Sequence, residues 1–261
     1  MWNPEVYQRF QAERDRPFFD LLAQLPDRAP AFITDLGCGT GHLSAVLAQR
    51  WPESQVTGLD SSAEMLAQAP SAPNLHFVQA DLATWQPDPL PDLLISNAAL
   101  QWVSGHPALI PHLSAQVAPG GIFAFQVPGN FGAPSHVLLG ELRREPYWLE
   151  RLGPPERGPD TLSSLNPQEY ADLLTPLGFA VNAWETTYLH LLRGPASDQS
   201  GDAVLNWVRG TALRPVLSRL NADEAQAFET EYGARLRQSY PAGPYHTPFP
   251  FRRVFVVAQR H

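Results

Sequence analysis

The chain has 261 residues, 44% hydrophobic and 17% charged, with a formal net charge of −8 at pH 7; it is globular in composition, and its charge argues against nucleic acid or anionic membranes as partners. All 18 basic residues are arginine, which excludes Schiff-base chemistry and a lysine base and leaves anionic ligands to arginine or histidine. The single cysteine, Cys38, excludes intrachain disulfides and cysteine-rich zinc sites, and the eight histidines show no HxH or HExxH spacing, so no metal site is expected.

The opening, MWNPEVYQRFQAERDRPFFDLLAQLP, reads as helical, with Val6, Phe10, Phe18, Leu21 and Leu22 forming an apolar stripe interrupted at Pro17. AFITDLGCGTGHLSAVLAQRWP gives a short apolar strand, a glycine-rich turn and a helix ending before Pro52. SQVTGLD is a second strand ending in Asp60, SSAEMLAQAP a helix capped by Ser61 or Ser62, and NLHFVQAD a third strand ending at Asp81. PDLLISNAAL supplies a fourth strand, residues 107–117 a helix, and IFAFQVP a fifth strand. Near-continuous apolar strands alternating with helices predict a doubly wound α/β sheet buried on both faces over residues 31–127.

Beyond Pro128, residues 135–151 read as helical, with Arg143 and Arg144 in water. NPQEYADLLTPLGF is an amphipathic helix with Asn166 as N-cap and Gly178 at its end; AVNAWETTYLHLL is a strand. Residues 202–238 hold one or two helices broken near Pro215, and Phe251 to Ala258 form the last strand. The length suits one domain, 1–261, with a cofactor core at 31–127 and helical cap elements at 1–26, 129–165 and 195–248. The 27 prolines fall in the connections, and no apolar stretch approaches the ~18 residues of a membrane span, so a cytoplasmic protein is expected.

A glycine-rich turn after the first strand lets a ligand approach the backbone closely. Counted from Gly37, the dinucleotide fingerprint is spoiled because its third glycine falls on His42; counted from Gly39 it falls on Ser44, which is tolerable but already a turn into the helix. What stands instead is DLGCGTG, Asp35 to Gly41, where an acid ahead of the glycines suits a ligand carrying an ammonium and a sulfonium better than a pyrophosphate. This stretch resembles the first motif of the class I S-adenosylmethionine methyltransferases. The resemblance implies that Asp35, Gly37, Gly39 and Gly41 cradle S-adenosyl-L-methionine. By the same likeness Asp60, with Ser61 and Met65, meets the ribose hydroxyls, Asp81 with Leu82 meets the adenine amino group, and Asn97 lies over the sheet switch point. Any one of these acids is more often a helix cap or a solvated charge; three at successive strand ends make that reading improbable.

MWNPEVYQRF, SNAALQWV, QVPGNFGAPSH, WETTYLH and FPFRRVFVVA together resemble the trans-aconitate 2-methyltransferase family, and these segments run from Met1 to Ala258. The resemblance implies a seven-stranded mixed sheet with an antiparallel last strand. It also implies transfer of a methyl group to a carboxylate of trans-aconitate or a similar small polycarboxylate, leaving S-adenosyl-L-homocysteine and a monomethyl ester. The alternative is the same fold acting on a malonyl group of a carrier protein, with which SNAALQW is shared, or on a quinone precursor. A cofactor-binding regulatory domain without activity is the third reading; it predicts a filled or polar-poor acceptor cavity, whereas Arg252 and Arg253 suggest a site for an anion. The loops RLGPPERGPDTLSS and GPASDQSGD depart from the family and bear on acceptor preference.

The acceptor carboxylate is ionised at pH 7, so no residue is assigned as a catalytic base; the work is in-line positioning with water excluded. An arginine on the reacting carboxylate would weaken the nucleophile, so Arg252 and Arg253 are expected on the carboxylates that do not react. Neutral donors for the reacting one are Asn97, Asn130, Tyr188, His136 and His190. Trp102, with Trp2 and Tyr7, lies in segments expected to close over the site. An antiparallel last strand starting at Phe251 would put Arg252 and Arg253 at the rim of the active site, on opposite faces. The partner is thus a small anionic carboxylate, with no nucleic acid or membrane, and a monomer is compatible with this reading.

Overall fold

The computed structural model describes residues 11–103, 105–154, 164–193 and 203–261; Val6, Phe10, Trp2 and Tyr7 lie outside the described residues. Seven strands form one sheet: β1 (Phe32–Leu36), β2 (Gln55–Asp60), β3 (Leu75–Gln79), β4 (Leu93–Asn97), β5 (Ile122–Pro128), β6 (Phe179–Arg193) and β7 (His246–Arg260). Their order is β3-β2-β1-β4-β5-β7-β6. The pairs β1/β2, β1/β4, β2/β3 and β4/β5 are parallel, and β7 runs antiparallel to β5. The seven-stranded mixed sheet expected from the sequence is present, and strand order reverses between β1 and β4, the kind of switch point outside whose C-terminal strand ends α/β ligands bind.

The chain divides into two compact units. One holds Asp15–Pro128, Ser164–Thr186 and Arg253–His261; the other takes its described residues from 1–14, 129–163 and 187–252. Each has its own core. The sheet-bearing unit buries Leu36, Leu59, Leu94, Phe123, Phe125, Val254 and Val256 with the inner faces of the helices His106–Ala115 and Pro167–Leu174. The second unit buries Leu139, Trp148, Trp207, Phe228, Tyr232, Phe249 and Phe251. Each such side chain contributes roughly 1.5–3 kcal/mol relative to exposure.

Several elements differ from the sequence reading. The first described helix, Gln11–Leu22, runs through Pro17. Proline removes one backbone donor, and the full burial of Phe18 and Leu21 offsets that loss. Residues 135–151 are two helices, Pro134–Arg144 and Pro146–Leu152, because Glu145, which precedes Pro146, is extended at ψ 140. Arg143 is buried, since it sits on the helix face that also carries Leu139 and Leu142. Three helices, Ala203–Arg209, Arg214–Leu217 and Ala222–Ser239, fill 203–239. Asn166 caps Pro167–Leu174 as expected, in a capping box with Glu169, and Gly178 follows at φ 86.

The largest correction concerns the last strand. β7 begins at His246, five residues before Phe251, so Arg252 and Arg253 lie inside a 15-residue strand and not at its start. Prolines 248 and 250 do not break it: their side chains are exposed while those of Thr247, Phe249 and Phe251 are buried, and, being two apart, both prolines lack the N–H on the same lateral edge of the strand. Arg253 nevertheless pairs in register with Pro128, the last residue of β5. It therefore stands level with the edge where the parallel strands finish.

Candidate functional site

The turn after β1 is built from three glycines with positive φ: Gly37 at 72°, Gly39 at 58° and Gly41 at 74°. Gly37 is required by packing, because a Cβ there would lie 2.2 Å from the Cβ of Ala99. Gly39 is different: among the described residues, a Cβ would meet nothing within 4 Å. These residues leave that side of the loop open, and a ligand lying on bare backbone is a physical reason for a glycine there. Gly39→Ala is accordingly expected to cost only about 1–2 kcal/mol, the left-handed strain of an L-residue. Its effect on S-adenosylhomocysteine affinity should be far larger, tenfold or more by calorimetry; a melting-temperature loss without an affinity loss would overturn that assignment.

Asp60 ties the loop down. One carboxylate oxygen accepts from the Gly39 N–H (2.8 Å) and the other from the Ser62 N–H (2.9 Å). Each oxygen keeps a further lone pair, so the carboxylate can still accept two hydroxyls from a ribose. Ser62, not Ser61, caps the short helix Ala63–Leu66, accepting from Met65 N–H at 3.3 Å. Ser61 is exposed and Met65 half-buried. Asp81 is exposed and accepts from the Ala83 N–H at 2.9 Å, while Leu82 packs on the apolar core.

Asp35 is buried at 2% exposure and accepts from the fully buried Ser44 hydroxyl at 2.6 Å. Burial raises its pKa to about 6, against the opposing pull of the Ser44 bond and of His42. His42 in turn meets Asp15 at 2.9 Å. The raised pKa means that the folded state favours the protonated acid. Asp35's contribution to stability is present below pH 4 and is lost as pH rises through about 6. Above that, the buried carboxylate is a standing cost of roughly 3 kcal/mol. A buried anion maintained at such cost suits a cationic ligand. Asp35→Asn should raise the melting temperature of the ligand-free protein at pH 8 and weaken S-adenosylhomocysteine binding. In the unaltered protein, that affinity should fall up to tenfold per unit as pH drops below about 6. A flat affinity profile between pH 5 and 8 would remove Asp35 from cation binding.

At the end of β4 the backbone is strained: Ala98 has φ 52, unusual for a residue with a Cβ. Its N–H donates to the Gln126 carbonyl (3.0 Å), and its own carbonyl accepts from the Gln101 side chain. Gln126, fully buried on β5, links two expected site residues: its Nε2 donates to Asn97 Oδ1 (2.6 Å) and its Oε1 accepts from Arg253 Nη1 (3.3 Å). Arg253 is itself 6% exposed. Trp102, in contrast, is 45% exposed on the short 3-10 turn Leu100–Trp102.

The sequence reading passed over Gln126, Ser44 and Ala98. Gln126 had a signal, as the one amide in the apolar run IFAFQVP. The strain at Ala98 has none in its residue type.

The second unit places the remaining candidates. Arg252 is half-buried and donates to the Gly129 carbonyl at 3.0 Å. Asn130 is 4% exposed, and among the described residues neither its Oδ1 nor its Nδ2 has a partner. A buried amide left unsatisfied costs about 1–3 kcal/mol for each lost bond, so Asn130 is suited to a polar ligand group or an ordered water. His136 is buried against Ser135 Oγ (3.3 Å) and the edge of Phe131, and desolvation lowers its pKa to about 4, so it is neutral at pH 7. His190 stacks on Trp207 with centroids 4.5 Å apart, and Tyr188 is buried next to it in near-parallel orientation.

Among the described residues, no group of histidine, cysteine, aspartate or glutamate side chains could hold a metal ion. Among them, too, no helix is long and apolar enough to cross a membrane.

A family model described as a methyltransferase domain matches residues 10–183. The chain is 49% identical to a trans-aconitate 2-methyltransferase of Streptomyces avermitilis, covering 99% of this chain and 97% of the relative. It is 41% identical to that of Escherichia coli O157:H7 over 99% and 98%, and 41% identical to that of Acidovorax ebreus over 99% and 98%. Among solved structures, the YcgJ protein from Bacillus subtilis is similar with TM-score 0.57 at 15% identity, over 94% of this chain and 97% of that one. The plantazolicin methyltransferase BpumL in complex with SAH is similar with TM-score 0.54 at 14% identity, over 99% and 90%. At these identities the structural likeness establishes the fold.

Proposed function

The chain belongs to the methyltransferase family that includes the trans-aconitate 2-methyltransferases, and from that premise we propose that it makes the monomethyl ester of trans-aconitate, using S-adenosyl-L-methionine as methyl donor. The observation that carries this reading is identity of 41–49% maintained over 99% of the chain. The loop geometry supports the cofactor: an open face at Gly39, an acid with free lone pairs at Asp60, and a buried anion at Asp35.

S-Adenosylmethionine supplies an electrophilic methyl carbon on a sulfonium. What falls to the protein is binding and orientation. Asp35 offers the negative charge that suits the cationic end of the cofactor, and Asp60 the acceptors for its ribose. We assign Asp81 and Leu82 to the adenine end, with Ser61 and Met65 flanking the ribose. The acceptor carboxylate is already ionised at neutral pH, so no side chain need remove a proton, and rate comes from alignment in a water-poor site.

A nucleophile of this kind is weakened by a bidentate arginine. We therefore assign Arg253, buried level with the ends of the parallel strands, to a carboxylate that does not react. Asn130 is a second candidate for polar recognition, on the strength of its unpartnered amide.

The test is direct. Incubation with methyl-labelled S-adenosylmethionine and a panel of di- and tricarboxylates should yield a base-labile ester from trans-aconitate. No ester from any acid in the panel would overturn the proposal. Labelling of a malonylated carrier protein instead would move the enzyme to the other acceptor class.

A further inference from the structure

The bonds around Gln126 determine a polarity that the residue types do not. Arginine has only donors, so the atom of Gln126 facing Arg253 must be its oxygen, as observed at 3.3 Å. The other end of the same amide is then Nε2, a donor, and the atom of Asn97 facing it must be Oδ1, as observed at 2.6 Å. Asn97 is left with Nδ2, and no group among the described residues takes those hydrogens. Its position is set as well. Asn97 pairs in register with Gln126, and two residues on, Ala99 abuts Gly37 of the cofactor loop.

We propose that Gln126 is a positioning residue: held by Arg253, it orients the Asn97 amide so that Asn97 serves as a hydrogen-bond donor to a ligand carboxylate. Both termini of the relay, the Arg253 guanidinium and the Asn97 NH2, are donors, which selects an anionic acceptor and disfavours an ammonium. The inference rests on the methyltransferase reading, in which two ligands carry carboxylates: the amino-acid end of the cofactor and the methyl acceptor.

Gln126→Glu inverts the polarity. The carboxylate can accept from Arg253 but has nothing to donate, so Asn97 must turn its NH2 inward and present oxygen to the ligand. The variant keeps size and gains an ion pair with Arg253, so its melting temperature should not fall. Three quantities are then read: the Kd of S-adenosylhomocysteine, the Kd of 5′-methylthioadenosine, which lacks the amino-acid end, and the KM of trans-aconitate.

If the cofactor is the source, the first should rise about tenfold with the second unchanged; if the acceptor is, the KM alone should rise about tenfold. Because the new carboxylate also draws on Arg253, the comparison is repeated in an Asn97→Ala background, where the effect of Gln126→Glu should shrink below about twofold. The same fold-change in both backgrounds, equal weakening of both nucleosides, or no change in any of the three would overturn the proposal. Absence of trans-aconitate esterification by the unaltered protein would instead overturn the acceptor assignment, and the nucleoside measurements would still read the relay.

Discussion

Asp60→Ala is expected to raise the Kd of S-adenosylhomocysteine about 100-fold. The carboxylate accepts from both the Gly39 and Ser62 N–H groups, and hydrogen bonds to charged groups contribute about 1.5–3 kcal/mol each. Loss of the carboxylate removes the ribose acceptors and unpins the loop from the end of β2 in one step. Asp60→Asn keeps one acceptor oxygen and puts an NH2 against a backbone N–H, so it should fall between the two, nearer alanine. Calorimetric titration decides. An affinity within threefold of the unaltered protein would mean that Asp60 only shapes the loop, and that the ligand lies elsewhere.

Arg253→Met is expected to raise the KM of trans-aconitate about 100-fold while changing kcat less than tenfold. A charge pair lost from a desolvated position costs on the order of 2–5 kcal/mol, and the non-reacting carboxylate contributes to binding equally before and during reaction, so the loss appears in KM. Arg253→Lys should recover little of it, because a point charge cannot reproduce the planar fork. The methionine variant also leaves Gln126 Oε1 buried without its donor, a cost of roughly 1–3 kcal/mol that a thermal melt will register separately. Arg252→Met is the comparison: Arg252 donates to the Gly129 carbonyl, and its loss should show mainly in stability. A larger KM effect at Arg252 than at Arg253 would reverse the assignment of the two arginines.

The cofactor half of the site was legible because its information is local. Apolar runs bounded by glycines identify β1, the turn and the following helix, and acids at successive strand ends fall where a parallel sheet must present them. Even the choice between Ser61 and Ser62 as cap was narrowed to adjacent residues. The acceptor half was less legible. Arg252 and Arg253 stand out in the sequence, yet the strand carrying them begins at His246, five residues before the apolar run that starts at Phe251. The alternation Thr247, Phe249, Phe251 was present in the sequence all along, and it is the burial of those three that carries the strand through the prolines.

The order of residues alone thus determined the alternation of strands and helices, the glycine-rich loop, the acids at successive strand ends and the presence of arginines suited to an anion. These depend on periodicity, on glycine's backbone freedom and on residue chemistry, all of which are properties of short segments. Only the tertiary structure decided which arginine is buried level with the strand ends, that Asp35 bears a pKa of about 6, and that Asn97, Gln126 and Arg253 form one relay across β4, β5 and β7. Register between distant strands and exclusion of water set those facts. A chain segment carries neither until the sheet has closed around it.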